Sequence, residues 1–347
     1  ENKDKLKFIS NFSGSYGFAL ILKKKNYLFV DGRYTLQAKI QSGKLFNIVT
    51  IPNNFPSDIL KKKKLKIGFD PKLHTQEALK KIFNKTNCKL IFINQNLIDK
   101  FWFKKESNNL KKFYILPEKA VGQNYKLKIN ILINLLNKKK IDFQFISSSE
   151  NIAWLLNIRG KDSNFTPIPN SYLAVGIDKK IYFFSDLRKT NRFFKMKFKD
   201  IIFIDIKNTD QFLSKIKSKK ILIDSSSCSI FFENILKKNN KIAESSDPIY
   251  LLKSVKSKIE IKNTIKAHIY DGAALTKFLF WIKKNYINQN INEISAQEKL
   301  LKFRKQNKNF KFLSFPTISG SGPNGAIIHY KASKKSNRKL KKGDIYL

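Results

Sequence analysis

Phe18-Ala-Leu-Ile-Leu22 and Tyr27-Leu-Phe-Val30 flank Lys23-Lys-Lys-Asn26, and Asp31-Gly32 then leads into Arg33-Tyr-Thr-Leu-Gln-Ala-Lys-Ile-Gln-Ser42 and Gly43. The two flanking runs are aliphatic and aromatic, types that fit a pleated surface, so the polar residues between them predict a hairpin. Asp31-Gly32 turns the chain, and the helix formers from Arg33 to Ser42 stop at a glycine, which predicts a short helix. Strand signals over Ile48–Ile51 and Lys66–Phe69 and a helix signal over Gln76–Phe83 continue the alternation. This is the pattern of an α/β unit.

A second round begins after Pro117, with helices expected over Tyr125–Asn137 and Asn151–Leu156. Its strands are expected over Phe143–Ile146, Tyr172–Ile177, Ile181–Phe184, Ile201–Ile206 and Ile221–Asp224. In the third region Ser257 and Glu260 form a capping box. Ile261, Ile265, His268, Gly272, Leu275, Leu279, Ile282 and Tyr286 follow at spacings of three and four, predicting one buried helix face. Ser295 and Glu298 are expected to open another helix. Strands are expected over Phe312–Phe315 and Ala326–Tyr330, and Asp344–Leu347 is strand-like. The fold class is therefore α/β (α+β), with divisions at 1–116, 117–247 and 248–347.

The 347 residues contain 42% hydrophobic types, enough for two or three globular domains with their own cores. The longest uncharged apolar run, Tyr16 to Leu22, is too short to cross a bilayer. Cys88 and Cys228 stand far apart with no ligand spacing, which suits a reducing cytoplasm. A net charge of +43 suggests polyanions at first sight, but 63 of the 69 basic residues are Lys, spread along the whole chain. Nucleic-acid readers favour Arg for its bidentate fork, so the lysines read as solvated faces and no specific nucleic-acid partner is expected.

Gly320-Ser-Gly-Pro-Asn-Gly325 matches G-x-G-x-x-G, but a strand rather than a helix is expected after it, so it reads as a tight loop without a phosphate site. The three histidines, His74, His268 and His329, form no metal-binding pair. His268 falls in its helix's apolar stripe and reads as a core-edge residue, and His74 has no motif around it. His329 is expected at a strand end beside the glycine loop, either aimed into a cleft or packed structurally. Arg33, after Asp31-Gly32, could reach a ligand carbonyl or carboxylate or simply pair with Asp31.

These residues lie in segments that resemble the large three-domain form of Xaa-Pro aminopeptidase, aminopeptidase P, of the creatinase/prolidase pita-bread superfamily. The segments are Phe12-Ser-Gly-Ser-Tyr-Gly17 with Val30-Asp-Gly-Arg-Tyr-Thr-Leu-Gln-Ala38, Asn96-Leu-Ile-Asp-Lys-Phe-Trp102 and Ile152-Ala-Trp-Leu-Leu-Asn-Ile-Arg-Gly160 with Asp162. Further on are Ser314-Phe-Pro-Thr-Ile-Ser319 and Gly322-Pro-Asn-Gly-Ala-Ile-Ile-His-Tyr330. They occur in family order along nearly the whole chain. Departures are local: Ser149-Glu150-Asn151 replaces the usual L-D-E, and Lys161 a small residue.

The resemblance implies two creatinase-N-like α/β domains followed by the beginning of a pita-bread catalytic domain. It implies a manganese-dependent aminopeptidase that removes the N-terminal residue from peptides with proline in second position. The two manganese ions would be held by Asp, Asp, His, Glu and Glu, all expected beyond Leu347. The chain is thus expected to be truncated at both ends, to bind no metal and to be inactive alone. By the same resemblance Arg33 and His329 are substrate contacts, His329 also catalytic. The complete protein is expected to be a cytoplasmic homodimer with a peptide substrate and no membrane partner. The alternative is a metal-free pita-bread homologue that binds peptides or proteins.

Overall fold

The computed structural model describes residues 2–84, 86–102 and 110–347. They divide into two compact units, one of residues 1–163 and 167–257, the other of residues 164–166 and 258–347.

In the first unit, β1 (Phe18–Ile21) pairs antiparallel with β2 (Asn26–Asp31), placing Phe18 opposite Phe29. The expected hairpin is closed by the bond from the Leu22 amide to the Lys25 carbonyl, 3.1 Å. β3 (Asn47–Ile51) lies parallel to β2, so the connection crosses over through a helix. That helix runs from Thr35 to Ser42, two residues later than expected, because Gly32–Tyr34 form a 3-10 turn capped by Asp31. Strand alternation sends the fully buried Leu28 and Val30 toward Phe12, Tyr34 and Ala38, and Phe29 toward Leu20, Ile51 and Leu60. β4 (Lys66–Phe69) and β5 (Lys89–Phe92) form a separate parallel pair.

The second α/β part of this unit adds a short pair, β6 (Tyr114–Ile115) with β8 (Ile158–Arg159), and one six-stranded sheet. The sheet contains β7 (Phe143–Ile146), β9 (Ser171–Gly176), β10 (Ile181–Ser185), β11 (Ile201–Asp205), β12 (Lys220–Ile223) and β13 (Lys241–Glu244). Its order is β11-β10-β9-β7-β12-β13, with β9 antiparallel to both neighbours and the outer pairs parallel. Five of the six strands agree with expectation because they are nearly unbroken apolar runs, as a sheet covered on both faces requires. The sixth, β13, is an edge strand with Lys241 and Glu244 at its ends, and no strand was expected there. Leu173, Val175 and Phe183 face one core; Phe145, Ala174 and Phe184 face the other.

In the second unit, a 28-residue helix, Lys258–Asn285, precedes a helix over Glu293–Lys305. Of the expected buried stripe, Ile282 is buried and Tyr286 packs against the same cluster, while the earlier members are exposed in this chain. The buried residues are Ala274, Phe278 and Ile282, and every residue from 261 to 273 is exposed. The following helix and Leu340 cover only the last turns, and they meet a face rotated by one residue from Leu275 and Leu279. The next helix also begins earlier than expected. Asn292 is its N-cap, and its capping box joins Asn292 to Ser295, so Ser295 closes the box from the third helical position. Phe312–Phe315 and Ala326–Tyr330 are not strands; the latter begins in a 3-10 turn, Gly322–Ala326, followed by a further turn. Pairing at the end of the chain is limited to the glycine loop. Gly320 exchanges backbone bonds with Leu347, 2.9 Å each way, and the Gly322 amide donates to Ile345.

Candidate functional site

The candidate residues Arg33 and His329 each sit in a group of interacting side chains, one in each unit. In the first, the Asp31 side chain accepts the Arg33 amide at 3.0 Å and binds its guanidinium through Nε at 3.1 Å and Nη2 at 2.7 Å. This fork holds the guanidinium exposed, 5.4 Å from the ring centre of the buried Tyr34, and pushes the Arg33 pKa up, chiefly through the Asp31 hydrogen bond. The neighbouring loop is built onto the same helix. Gln41 Oε1 accepts the Ser13 amide at 2.9 Å, Gln37 Nε2 donates to Ser13 Oγ at 3.0 Å, and Ser15 pairs with the Tyr34 hydroxyl. Gly14 lets this loop cross the Phe12 ring, since a Cβ there would lie 2.1 Å from Phe12 Cζ. The motif Phe12–Gly17 and the motif Val30–Ala38 are therefore one structural object, with Arg33 at its surface.

In the second unit His329 is exposed, with a left-handed backbone of φ 55°. It does not end a strand. The Tyr330 amide donates to the Ile327 carbonyl at 3.1 Å and closes a turn around it. Beneath lies a residue the sequence reading missed, Glu293, fully buried at the start of its helix. Its Oε1 accepts the Ser321 amide at 2.7 Å and Asn324 Nδ2 at 2.9 Å; its Oε2 accepts the Tyr330 hydroxyl at 2.8 Å and the Arg338 amide at 3.0 Å. Burial pushes the Glu293 carboxyl up, but the Ser321, Asn324, Arg338 and Tyr330 bonds outweigh it, and the group lies below its ordinary value. An acid in a first helical turn is an ordinary partner of the helix dipole, so nothing local set Glu293 apart. Its donors come from positions 28 to 45 residues further on.

His74, His268 and the remainder of the glycine loop lie outside these two groups. His268 is exposed rather than at a core edge, its Nδ1 2.9 Å from the Thr264 carbonyl oxygen. His74 Nδ1 lies 2.9 Å from the Asp70 carbonyl oxygen and its ring meets Phe69 edge-on. The glycine loop at 320–325 runs into the 3-10 turn, with no α-helix opening on it. Among the described residues no three His, Cys, Asp or Glu side chains are grouped to hold a metal ion. Nor is any described helix long and apolar enough to cross a membrane.

This arrangement, two α/β parts followed by a helical region with an ordered glycine loop, is that of known proteins. Residues 1–99 and 104–260 each match the creatinase/prolidase N-terminal domain, and residues 262–347 match metallopeptidase family M24. The probable Xaa-Pro aminopeptidase P of Laccaria bicolor is 35% identical over 98% of this chain and 55% of its own length. The Xaa-Pro aminopeptidase ApepP of Drosophila melanogaster is 32% identical over 100% of this chain and 59% of its own. The crystal structure of X-prolyl aminopeptidase from Caenorhabditis elegans, described as a cytosolic enzyme with a di-nuclear active site, superposes with a TM-score of 0.90. That superposition covers 99% of this chain and 59% of that one, at 26% identity. The chain belongs to the Xaa-Pro aminopeptidase P family of the creatinase/prolidase superfamily. It spans a little over half the length of these relatives.

Proposed function

We propose that the protein containing this chain is a manganese-dependent aminopeptidase that releases the N-terminal residue from peptides with proline in second position. The observation that carries the reading is similarity to a named Xaa-Pro aminopeptidase along 98% of the chain. On this reading residues 1–116 and 117–247 are the two N-terminal domains and 248–347 opens the catalytic one. The protein is a cytoplasmic homodimer. The described residues of this chain do not fit a two-manganese centre, because no acid or histidine cluster is present among them. The metal requirement is therefore assigned to the remainder of the M24 domain.

The chain's own contribution is to hold the substrate. His329, held exposed by its turn, hydrogen-bonds the carbonyl before proline and the negative charge that develops there during attack. Arg33, whose charge is secured by Asp31, grips a peptide carbonyl or carboxylate. The test is hydrolysis of an Xaa-Pro-Xaa peptide by the protein extended through the rest of the M24 domain, with and without manganese. Cleavage that requires both proline and manganese supports the proposal. A folded, extended protein that binds the peptide without cutting it would instead be a binding homologue.

A further inference from the structure

We propose that Glu293 is a positioning residue for His329, acting through Tyr330. Its functional meaning rests on the assignment of His329 as a substrate contact; its geometry does not. A non-glycine residue at φ 55° is strained and persists only where its surroundings over-determine it. Here one carboxylate grips both ends of the segment that carries His329. At the near end Asn324 Nδ2 donates to Glu293 Oε1, and at the far end the Tyr330 hydroxyl donates to Oε2. Asn324 Nδ2 also lies 2.9 Å from Tyr330 Oη, so the two ends are tied to each other as well. Tyr330 is only 6% exposed, and its hydroxyl lies 2.9 Å from Ser336 Oγ. Its ring is thus fixed while the neighbouring imidazole is left outside.

Every partner of the carboxylate in this cluster is a donor: the Ser321 and Arg338 amides, the Asn324 side-chain amide and the Tyr330 hydroxyl. An acceptor-only side chain is required, and an ionised carboxylate meets that requirement. Glutamine would turn an NH2 group toward one pair of these donors. Because the cluster is buried, the mismatch cannot be relieved by water and must be relieved by moving the loop.

The 347-residue chain labelled with carbon-13 and nitrogen-15 at histidine gives NMR signals from three residues, of which His74 and His268 are internal controls. Tyr330→Phe keeps the ring and removes the hydroxyl. The expected result is that the His329 backbone and imidazole signals move by more than a linewidth while those of His74 and His268 stay in place. Glu293→Gln should displace the His329 signals further. Should Glu293→Gln not fold, Tyr330→Phe alone decides. His329 signals that coincide with wild type in folded Tyr330→Phe would overturn the proposal. In the extended protein the same variant should lower kcat with little change in KM, and an unchanged kcat would overturn the functional half. If His329→Ala itself proved kinetically silent, the reading of His329 would fall while the NMR shifts remained, so the two failures are distinguishable.

Discussion

Four donors converge on the Glu293 carboxylate, and the consequence is a stability that depends on its charge. A carboxyl held below its unfolded value contributes stability that is complete above that value, about 4.3 for Glu, and fades as pH falls through the folded value. Glu293→Gln should cost about 1–3 kcal/mol near pH 7, the order expected for leaving buried donors unpaired. That gap between variant and wild type should narrow below about pH 4. Urea unfolding of both chains across pH checks this; a gap independent of pH would mean that Glu293 acts by shape alone. The substrate residues make a separate pair of predictions in the extended protein. His329→Ala should lower kcat by about 100-fold or more, as the loss of one oxyanion donor does. Arg33→Ala should chiefly raise KM, because an exposed guanidinium gripping the peptide outside the reacting bond adds binding more than rate. Steady-state kinetics on variants matched in melting temperature would separate these outcomes from a histidine of purely structural use and a surface ion pair with Asp31.

At the level of elements, the long helix Lys258–Asn285 offers two adjacent apolar residues with opposite fates, Phe278 at 5% exposure and Leu279 at 49%. Phe278→Ala should cost about 3–5 kcal/mol in this chain, whereas Leu279→Ala should stay within about 0.5 kcal/mol. Equal melting shifts for the two would contradict the packing of this helix against Ala296 and Leu300. The same helix shows what sequence can and cannot reveal. Its existence was legible, since heptad-like spacing of aliphatic residues requires only local periodicity. Its buried face was legible only at its end, at Ile282 and Tyr286, because burial depends on which neighbours arrive, and within this chain they arrive only over the last turns. The inner strands of the six-stranded sheet were legible for the converse reason: both faces of β7, β9, β10 and β12 are covered, so composition alone marks them, whereas the edge strand β13, with lysine and glutamate at its ends, was missed. The strand expected over Ala326–Tyr330 failed because its apolar residues are aliphatic by type but turned by distant contacts, the Tyr330 hydroxyl to Glu293 above all. Arg33 and His329 were reached through motifs, while Glu293, whose partners lie far along the chain, was invisible.

For the whole molecule, the +43 charge is carried by dispersed lysines and gives only a sequence-independent attraction to polyanions. Binding to a random DNA duplex should be weak and should fall steeply between 50 and 200 mM salt, in the manner of about 10³-fold or more for a six-contact surface. Sub-micromolar binding that persists near physiological salt would establish a nucleic-acid function instead. Under the proposed function, recognition belongs to this chain and metal chemistry to the rest of the M24 domain. One assay bears on it most directly: release of the first residue from an Xaa-Pro-Xaa peptide, and from its Xaa-Ala-Xaa counterpart, by the 347-residue chain and by the extended protein. The expected result is no turnover by the shorter chain with or without manganese, and manganese-dependent, proline-selective turnover by the extended one. Turnover that stays with the repurified shorter chain, or none from a folded, manganese-loaded extended protein, would contradict it.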